Sequence, residues 1–282
     1  MSTGQTLITV APTGAETAKA DAPTLPVTLD ELVATAKACE NAGAAMVHVH
    51  IRDEKGEPTL DLGRLRETVA ALRESTGLVV QLSTGGSVHD DFEDRLAVLE
   101  AAPDSCSLTC GTVNFGADVF LNPWPFMVEL YERTQAQEIV PEFELFDLGH
   151  VTAMNRLLDK YGPPFGGHVH CDLVMGVPGG MPGTQEALVA AVSTIPASAT
   201  WSATGVGRTT VPVALAALSG GGHLRVGMED TLTYAAGEPV RDNAQLVERA
   251  AALARLAGRP PMSGTDVRAL LNVKDRLREG VA

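Results

Sequence analysis

Two histidines separated by one residue, His48 and His50 in "MVHVHIRD", stand in an apolar run that alternates like a strand. A strand has period two, so both imidazoles project to one face. There they could share a metal ion, or hydrogen-bond as ordinary core histidines. A second pair, His168 and His170 in "GHVHCDL", has the same spacing, and spacing does not choose between them. A third donor helps. "HLRVGMEDTL" closes another apolar run with Glu229 and Asp230 and carries Arg225 within it. Two imidazoles and a carboxylate make three protein ligands and leave positions open for substrate, as a catalytic zinc site requires. Acids are favoured in the first turn of any helix. That accounts for either acid, but not for both behind a strand that also bears Arg225.

The elements that must position these groups repeat from end to end. "LITVAP" reads as a strand and "TLDELVATAKACENAG" as a helix, with Thr28 as N-cap, Glu31 completing a capping box and Gly43 at the stop. Seven further strand-like runs follow, each with an amphipathic stretch behind it: "MVHVHI", "LVVQLST", "SCSLTCGTV", "IVPEFELF", "HVHCDLVMG", "TWSATGVG" and "HLRVGME". Strict alternation demands a parallel sheet, because parallel strands need crossover helices. Eight pairs over 282 residues fit an α/β fold of the (β/α)8 TIM-barrel type, read as one catalytic domain over 1–282. Residues 262–282 read as a C-terminal helical extension for docking or oligomer contacts. In a closed barrel the second and eighth strands both flank the first, which brings His48 and His50 near Glu229.

Hydrophobic residues make up 45% of the chain but aromatics only 4%, so the core is built from Ala, Val and Leu. A net charge of −14 excludes general binding to nucleic acid or to an anionic membrane, and requires that any anionic substrate be drawn by local cations or a metal. Cys39, Cys106, Cys110 and Cys171 form no CxxC pair and sit in apolar segments, as buried thiols of a reducing compartment. No run has membrane-spanning length and no signal peptide is recognisable, so the cytoplasm is the expected location.

Barrel enzymes carry their chemistry at the C-terminal strand ends, and these ends are polar here. The first offers Glu16 in "APTGAET". The third offers Ser83, Thr84, Gly85 and Gly86 in "QLSTGGS", a small-residue turn suited to a carboxylate or phosphate. The fourth brings Ser107, Thr109 and Asn114, and the fifth Glu142 and Glu144 on one strand face. The seventh, "TGVGRTT", puts Arg208 at a helix start, near where barrels often bind phosphate.

Taken in order, "TGAETAKADAPTLPVT", "HVHIRD", "QLSTGG", "GTVNFG", "VPEFELFD", "GVPGGM", "TGVGR", "GGHLRVGMEDTL" and "NAQLVERA" resemble the β-keto acid cleavage enzymes over nearly the whole chain. The resemblance implies a homotetrameric TIM barrel with one Zn2+ per chain on His48, His50 and Glu229. It implies Asp230 as the base, supported by Arg225 with Glu142 nearby. Ser83, Gly86 and Ser107 fall at the substrate carboxylate, with Ser107 standing where a Thr is expected, and Glu16 faces a substrate ammonium group. Thr109 and Arg208 complete the expected substrate contacts. The implied reaction joins a β-keto acid, 3-keto-5-aminohexanoate or another cationic one, to acetyl-CoA, giving acetoacetate and a new acyl-CoA. Competing readings are the same chemistry on another acid such as dehydrocarnitine, a CoA-independent metal-dependent aldolase or hydrolase, and a non-catalytic binding protein. The lack of any Ser-His-Asp or Cys-His signature fits a path without a covalent enzyme intermediate.

Overall fold

The structure, a computed structural model, describes residues 4–276. Eight apolar runs form parallel strands: β1 (Ile8–Val10), β2 (Met46–Val49), β3 (Val79–Leu82), β4 (Ser105–Thr109), β5 (Val140–Leu145), β6 (His170–Met175), β7 (Thr200–Gly205) and β8 (His223–Val226). Each pairs with its sequence neighbours, and β8 closes the barrel against β1. The expected (β/α)8 architecture is therefore present. Its register matters for the site: Thr9 of β1 lies beside Arg225 on one side and Met46 on the other, and His48 lies beside Gln81.

Between the strands run α1 (Leu29–Ala42), α2 (Leu62–Ser75), α3 (Phe92–Ala97), α4 (Trp124–Ala136), α5 (Leu148–Tyr161), α6 (Gln185–Val192), α7 (Thr210–Ser219) and α8 (Asn243–Leu256). Helix α1 shows why they form. Thr28 and Glu31 make the capping box, and Gly43 ends the helix at φ 119°. Leu32, Ala36 and Cys39, at spacings of four and three, are its buried face. Such a capping side chain contributes about 1 kcal/mol. The third helix is shorter than its apolar pattern suggests, because the chain tightens into a 3-10 turn over Val98–Ala101.

Helix α9 (Gly264–Leu271) lies in the expected C-terminal extension, whose residues 277–282 fall outside the described part. It docks on the barrel itself. Val267 and Leu271 pack with Leu7, Ala45, Met46, Val79 and Val140 at the N-terminal strand ends. The helix thus caps the floor of the barrel and leaves the opposite mouth to the loops.

At that mouth three short antiparallel hairpins interrupt the alternation: Ile51–Arg52 with Pro58–Thr59, Val113–Phe115 with Asp118–Phe120, and Thr233–Ala235 with Glu238–Pro239. They follow β2, β4 and β8. The four cysteines are buried and unpaired. No helix among the described residues is long and apolar enough to cross a membrane.

Candidate metal centre and active site

A cavity of about 270 Å³ opens at the C-terminal mouth. Its walls differ in character. Strand β2 and the loops after β8, β1, β2 and β3 supply Glu229, Asp230, Glu16, His48, His50 and Ser83. Strand β6 and the loops after β4 to β7 supply Phe115, Phe120, Phe146, Val174, Val177 and Val206, part of a separate apolar cluster.

On the polar side the first pair of histidines converges. His48 is the last residue but one of β2 and His50 follows the strand. Their Nε2 atoms lie 3.3 Å apart. Glu229 Oε1 is 3.8 Å from His48 Nε2, and Oε2 is 3.7 Å from His50 Nε2. One ligand atom from each residue falls within 4.8 Å of the others. Burial, with Arg225 nearby, lowers the pKa of His48 to about 4. His50 is lowered by burial too. Burial would raise Glu229, but Arg225 and both histidines outweigh it and hold the carboxylate down at about 2. Two neutral imidazoles thus face an ionised carboxylate, the protonation state a metal ion needs. Glu229 Oε2 is buried and accepts no hydrogen bond. A buried anionic oxygen without a donor is costly, so the donor set fits a divalent cation.

Gly14 allows the first loop to close on this centre. It has φ +66°, and a Cβ there would stand 2.7 Å from Glu229 Cγ. Arg52, directly behind the second histidine, donates to the carbonyls of Gly14 (2.7 Å) and Thr17 (2.8 Å) and so clamps the loop that carries Glu16. Asn243 at the start of α8 ties the first loop to the eighth, donating to Pro12 O and accepting from Met228 N–H.

Arg225 organises the acids. It donates to Glu144 Oε1 (3.2 Å) and Asp230 Oδ1 (3.2 Å), and pairs with Glu229. Burial would lower its pKa, but the surrounding carboxylates raise it well above the usual guanidinium value. Asp230 goes the other way. Burial, with Glu229 and Glu144 adding to it, lifts its carboxyl above the ordinary range despite Arg225. Such a group is suited to accepting a proton from carbon.

The remaining expected residues separate by depth. Glu16 and Ser83 line the cavity, as do Gly85 and Gly86. Ser107 is buried behind that turn, where its hydroxyl accepts from Thr84 N–H at 3.2 Å. Thr109 donates to Glu144 Oε2 at 2.8 Å. Of the two glutamates on β5, Glu144 reaches the cavity, while Glu142 lies deeper and contacts His170 and Gln81. Arg208 is exposed in the 3-10 turn Gly207–Thr209 and does not line the cavity. His168 and His170 sit at the N-terminal end of β6, the opposite end of the barrel, where both bond to Thr200 Oγ1 (2.8 and 2.7 Å). The apolar wall carried no motif; its trace in the sequence is the aromatic and β-branched residues inside the loops "NFG", "LFD" and "GVPGG".

Fold and site together define a barrel enzyme with a metal-type donor cluster beside a buried acid–arginine pair. The family model described as beta-keto acid cleavage enzyme matches residues 5–273. The chain belongs to that family, and it is a carbon–carbon-cleaving acyltransferase. It is 35% identical over 273 residues to the 3-keto-5-aminohexanoate cleavage enzyme of Acetoanaerobium sticklandii, covering 95% of this chain and 98% of the relative. It is 34% identical over 271 residues to the 3-oxoadipate:acetyl-CoA acetyltransferase of Cupriavidus necator, covering 95% and 94%. Among solved structures, the ternary complex of ObcA with a C4-CoA adduct and oxalate superposes with a TM-score of 0.79 at 20% identity, covering 89% of this chain and 68% of that one. That likeness is one of fold.

Proposed function

We infer that this enzyme condenses a cationic β-keto acid, such as 3-keto-5-aminohexanoate, with acetyl-CoA, and releases acetoacetate and a new acyl-CoA. The observation that carries this reading is the convergence of His48, His50 and Glu229 beside the Arg225–Asp230 pair on the polar side of one cavity. His48, His50 and Glu229 would hold a zinc ion, one per chain. When bound, it supplies Lewis acidity for the ketone and carboxylate oxygens of the acid.

The chain's own groups do the rest. Asp230 accepts the C2 proton, and its raised pKa suits it to that transfer. Arg225 holds the Asp230 carboxylate at 3.2 Å and keeps the base oriented. Glu144, fixed by Thr109, holds Arg225 from its other side. The C2 carbanion attacks the thioester carbonyl of acetyl-CoA. The thiolate it displaces attacks the former ketone carbon, the C2–C3 bond breaks, and the released C2 carbanion takes back the proton held by Asp230, giving acetoacetate and the acyl-CoA. Ser83 and the amides of the turn through Gly86 receive the substrate carboxylate. Ser107 backs that turn. Glu142 acts from beneath, and Arg208 lies outside the cavity wall.

The two relatives, at 35% and 34% identity, carry names with a cationic and an anionic tail. Glu16 favours the cation. It lines the cavity, and nearby Lys19 is already paired with Glu31. The apolar half, with Phe115, Phe120 and Phe146, suits the uncharged arm of the thioester rather than a charged tail. Free buried thiols support a reducing compartment, taken as the cytoplasm; the assembly is taken as a homotetramer, which sedimentation can test.

The test is a screen of β-keto acids with and without acetyl-CoA, reading acetoacetate release. Cationic acids should turn over only with acetyl-CoA. Turnover without any thioester would replace this reading with an aldolase or hydrolase.

A further inference from the structure

His48 is almost wholly buried, and its Nδ1 lies 2.6 Å from Gln81 Oε1 on the neighbouring strand. Its other nitrogen faces His50 and Glu229. A neutral imidazole carries one proton, and an amide oxygen only accepts. Contact with Oε1 therefore puts the proton on Nδ1 and leaves the Nε2 lone pair free. A turned amide would reverse this, since its NH2 group would donate to Nδ1 and move the proton to Nε2.

The next residue decides which way the amide points. Gln81 Nε2 donates to Glu142 Oε1 at 3.2 Å and to Ser105 Oγ at 3.2 Å. An ionised carboxylate only accepts, so the NH2 group must face it. Glu142 is kept ionised by His170, whose Nε2 stands 3.2 Å from Oε2. Burial would raise the carboxyl, but His170, with Arg225 adding to it, outweighs burial and holds the pKa below the usual value. His170 is anchored in turn through Nδ1 to Thr200. Gln81 and His170 are 0% exposed and Glu142 2%, so water does not compete for any of these contacts.

We propose that Gln81, oriented by Glu142 and His170, is a positioning residue that locks His48 in the Nδ1–H tautomer and so presents Nε2 to the metal. His170, one member of the second histidine pair, thereby serves the first from the far end of the barrel. This rests on the metal reading given above. With the amide NH2 facing Glu142 Oε1, the amide oxygen is the atom left for His48 Nδ1. Partners of this kind typically set metal affinity by 10–100-fold.

The test has a readout without metal. In the 15N–1H spectrum of the histidine side chains of the metal-free protein, His48 should appear as the Nδ1–H tautomer. In Gln81→Met it should become a mixture, and zinc affinity, measured by chelator competition, should fall about 10–100-fold. Glu142→Gln gives Gln81 a partner that can donate as well as accept. It should loosen the tautomer and cost roughly several-fold in zinc affinity, and it keeps the test alive if Gln81→Met does not fold. An Nε2–H tautomer in the unmodified protein overturns the proposal. So does an unchanged His48 tautomer in both variants. If the unmodified protein binds no zinc, the metal reading falls, and with it the assignment of His48 as a ligand. The tautomer shifts then judge the orienting role of Gln81 alone.

Discussion

The chain contains the same three-residue pattern twice, and the two copies lie at opposite ends of the barrel. In "MVHVH" the apolar strand residues come before the histidines, so the imidazoles emerge at the C-terminal mouth, with Glu229 within 3.8 Å. In "HVHCDLVM" the strand residues come after, so His168 and His170 sit at the floor and bond to Thr200. Ligand spacing is necessary for a metal site. Depth along the strand decides whether a third donor and a cavity are there to complete it. The mouth carries unsatisfied and strained electrostatics, such as the orphaned Glu229 Oε2. At the floor the histidines have a partner in Thr200, and α9 packs its apolar face on the strand ends there.

The largest effect should come from breaking this contrast directly. His48→Ala should strip most of the zinc from the purified protein and abolish turnover, while His168→Ala should keep about one zinc per chain, by the three-ligand logic of catalytic sites. Elemental analysis of the two variants reads the result. Metal loss from His168→Ala with retention in His48→Ala would place the metal at the floor instead. Next in size, Asp230→Asn should keep the zinc and the fold but lose roughly two or more orders of magnitude in kcat, the usual scale for a positioned base. Near-normal kcat would remove Asp230 from that role.

A smaller change should sharpen the division within the mouth. Glu16 is exposed at the cavity rim, so its pairing with an ammonium tail is only partly screened from water. Glu16→Gln should reduce the preference for a cationic over an anionic β-keto acid by about tenfold in kcat/KM, or about 1.4 kcal/mol, without releasing zinc. If the unmodified enzyme uses 3-oxoadipate as well as the amino acid substrate, Glu16 does not select the tail.

Much of this arrangement was legible from residue order. Alternation of apolar strands and amphipathic helices implied the barrel, because only crossover helices can join parallel neighbours. The closure of β8 against β1 then brought Glu229 to His48 and His50. Depth was harder to read. Glu142 and Glu144 share a face by period two, and two residues of rise, about 6–7 Å, separate a cavity wall from a buried support. The small hydroxyls of Ser107 and Thr109 read as substrate contacts; in the structure they bond to Thr84 and Glu144, behind the cavity wall. The apolar wall was missed because its residues come from four different strand–loop units, and no local pattern links Phe115 to Val206. The hairpins at the mouth were missed for a related reason: strands of two or three residues leave no periodicity to detect.

The smallest expected effect belongs to the floor, and it should appear in stability rather than in catalysis. His223 begins β8 and is 3% exposed; its Nδ1 accepts the N–H of Leu7 at 3.0 Å. Burial lowers its pKa to about 3, with His170, Arg259 and His168 adding like charge nearby. The unfolded chain titrates this group near 6.5. Between those values the unfolded state binds the extra proton, so stability falls as the pH drops from 6.5 towards 3. At pH 5 this one residue should cost about 2 kcal/mol relative to pH 7.5. Asn at position 223 can still accept from Leu7 N–H but cannot take up a proton. His223→Asn should therefore narrow the gap between urea-unfolding free energies at pH 7.5 and pH 5.0 by about 2 kcal/mol, whatever packing it loses at both. Its kcat at pH 7.5 should stay within about twofold of the parent, because the change is at the end of the barrel away from the cavity. An unchanged gap would show that His223 is not the acid-sensitive group. A large loss of kcat with zinc retained would show that floor and mouth are coupled more tightly than the two histidine pairs suggest.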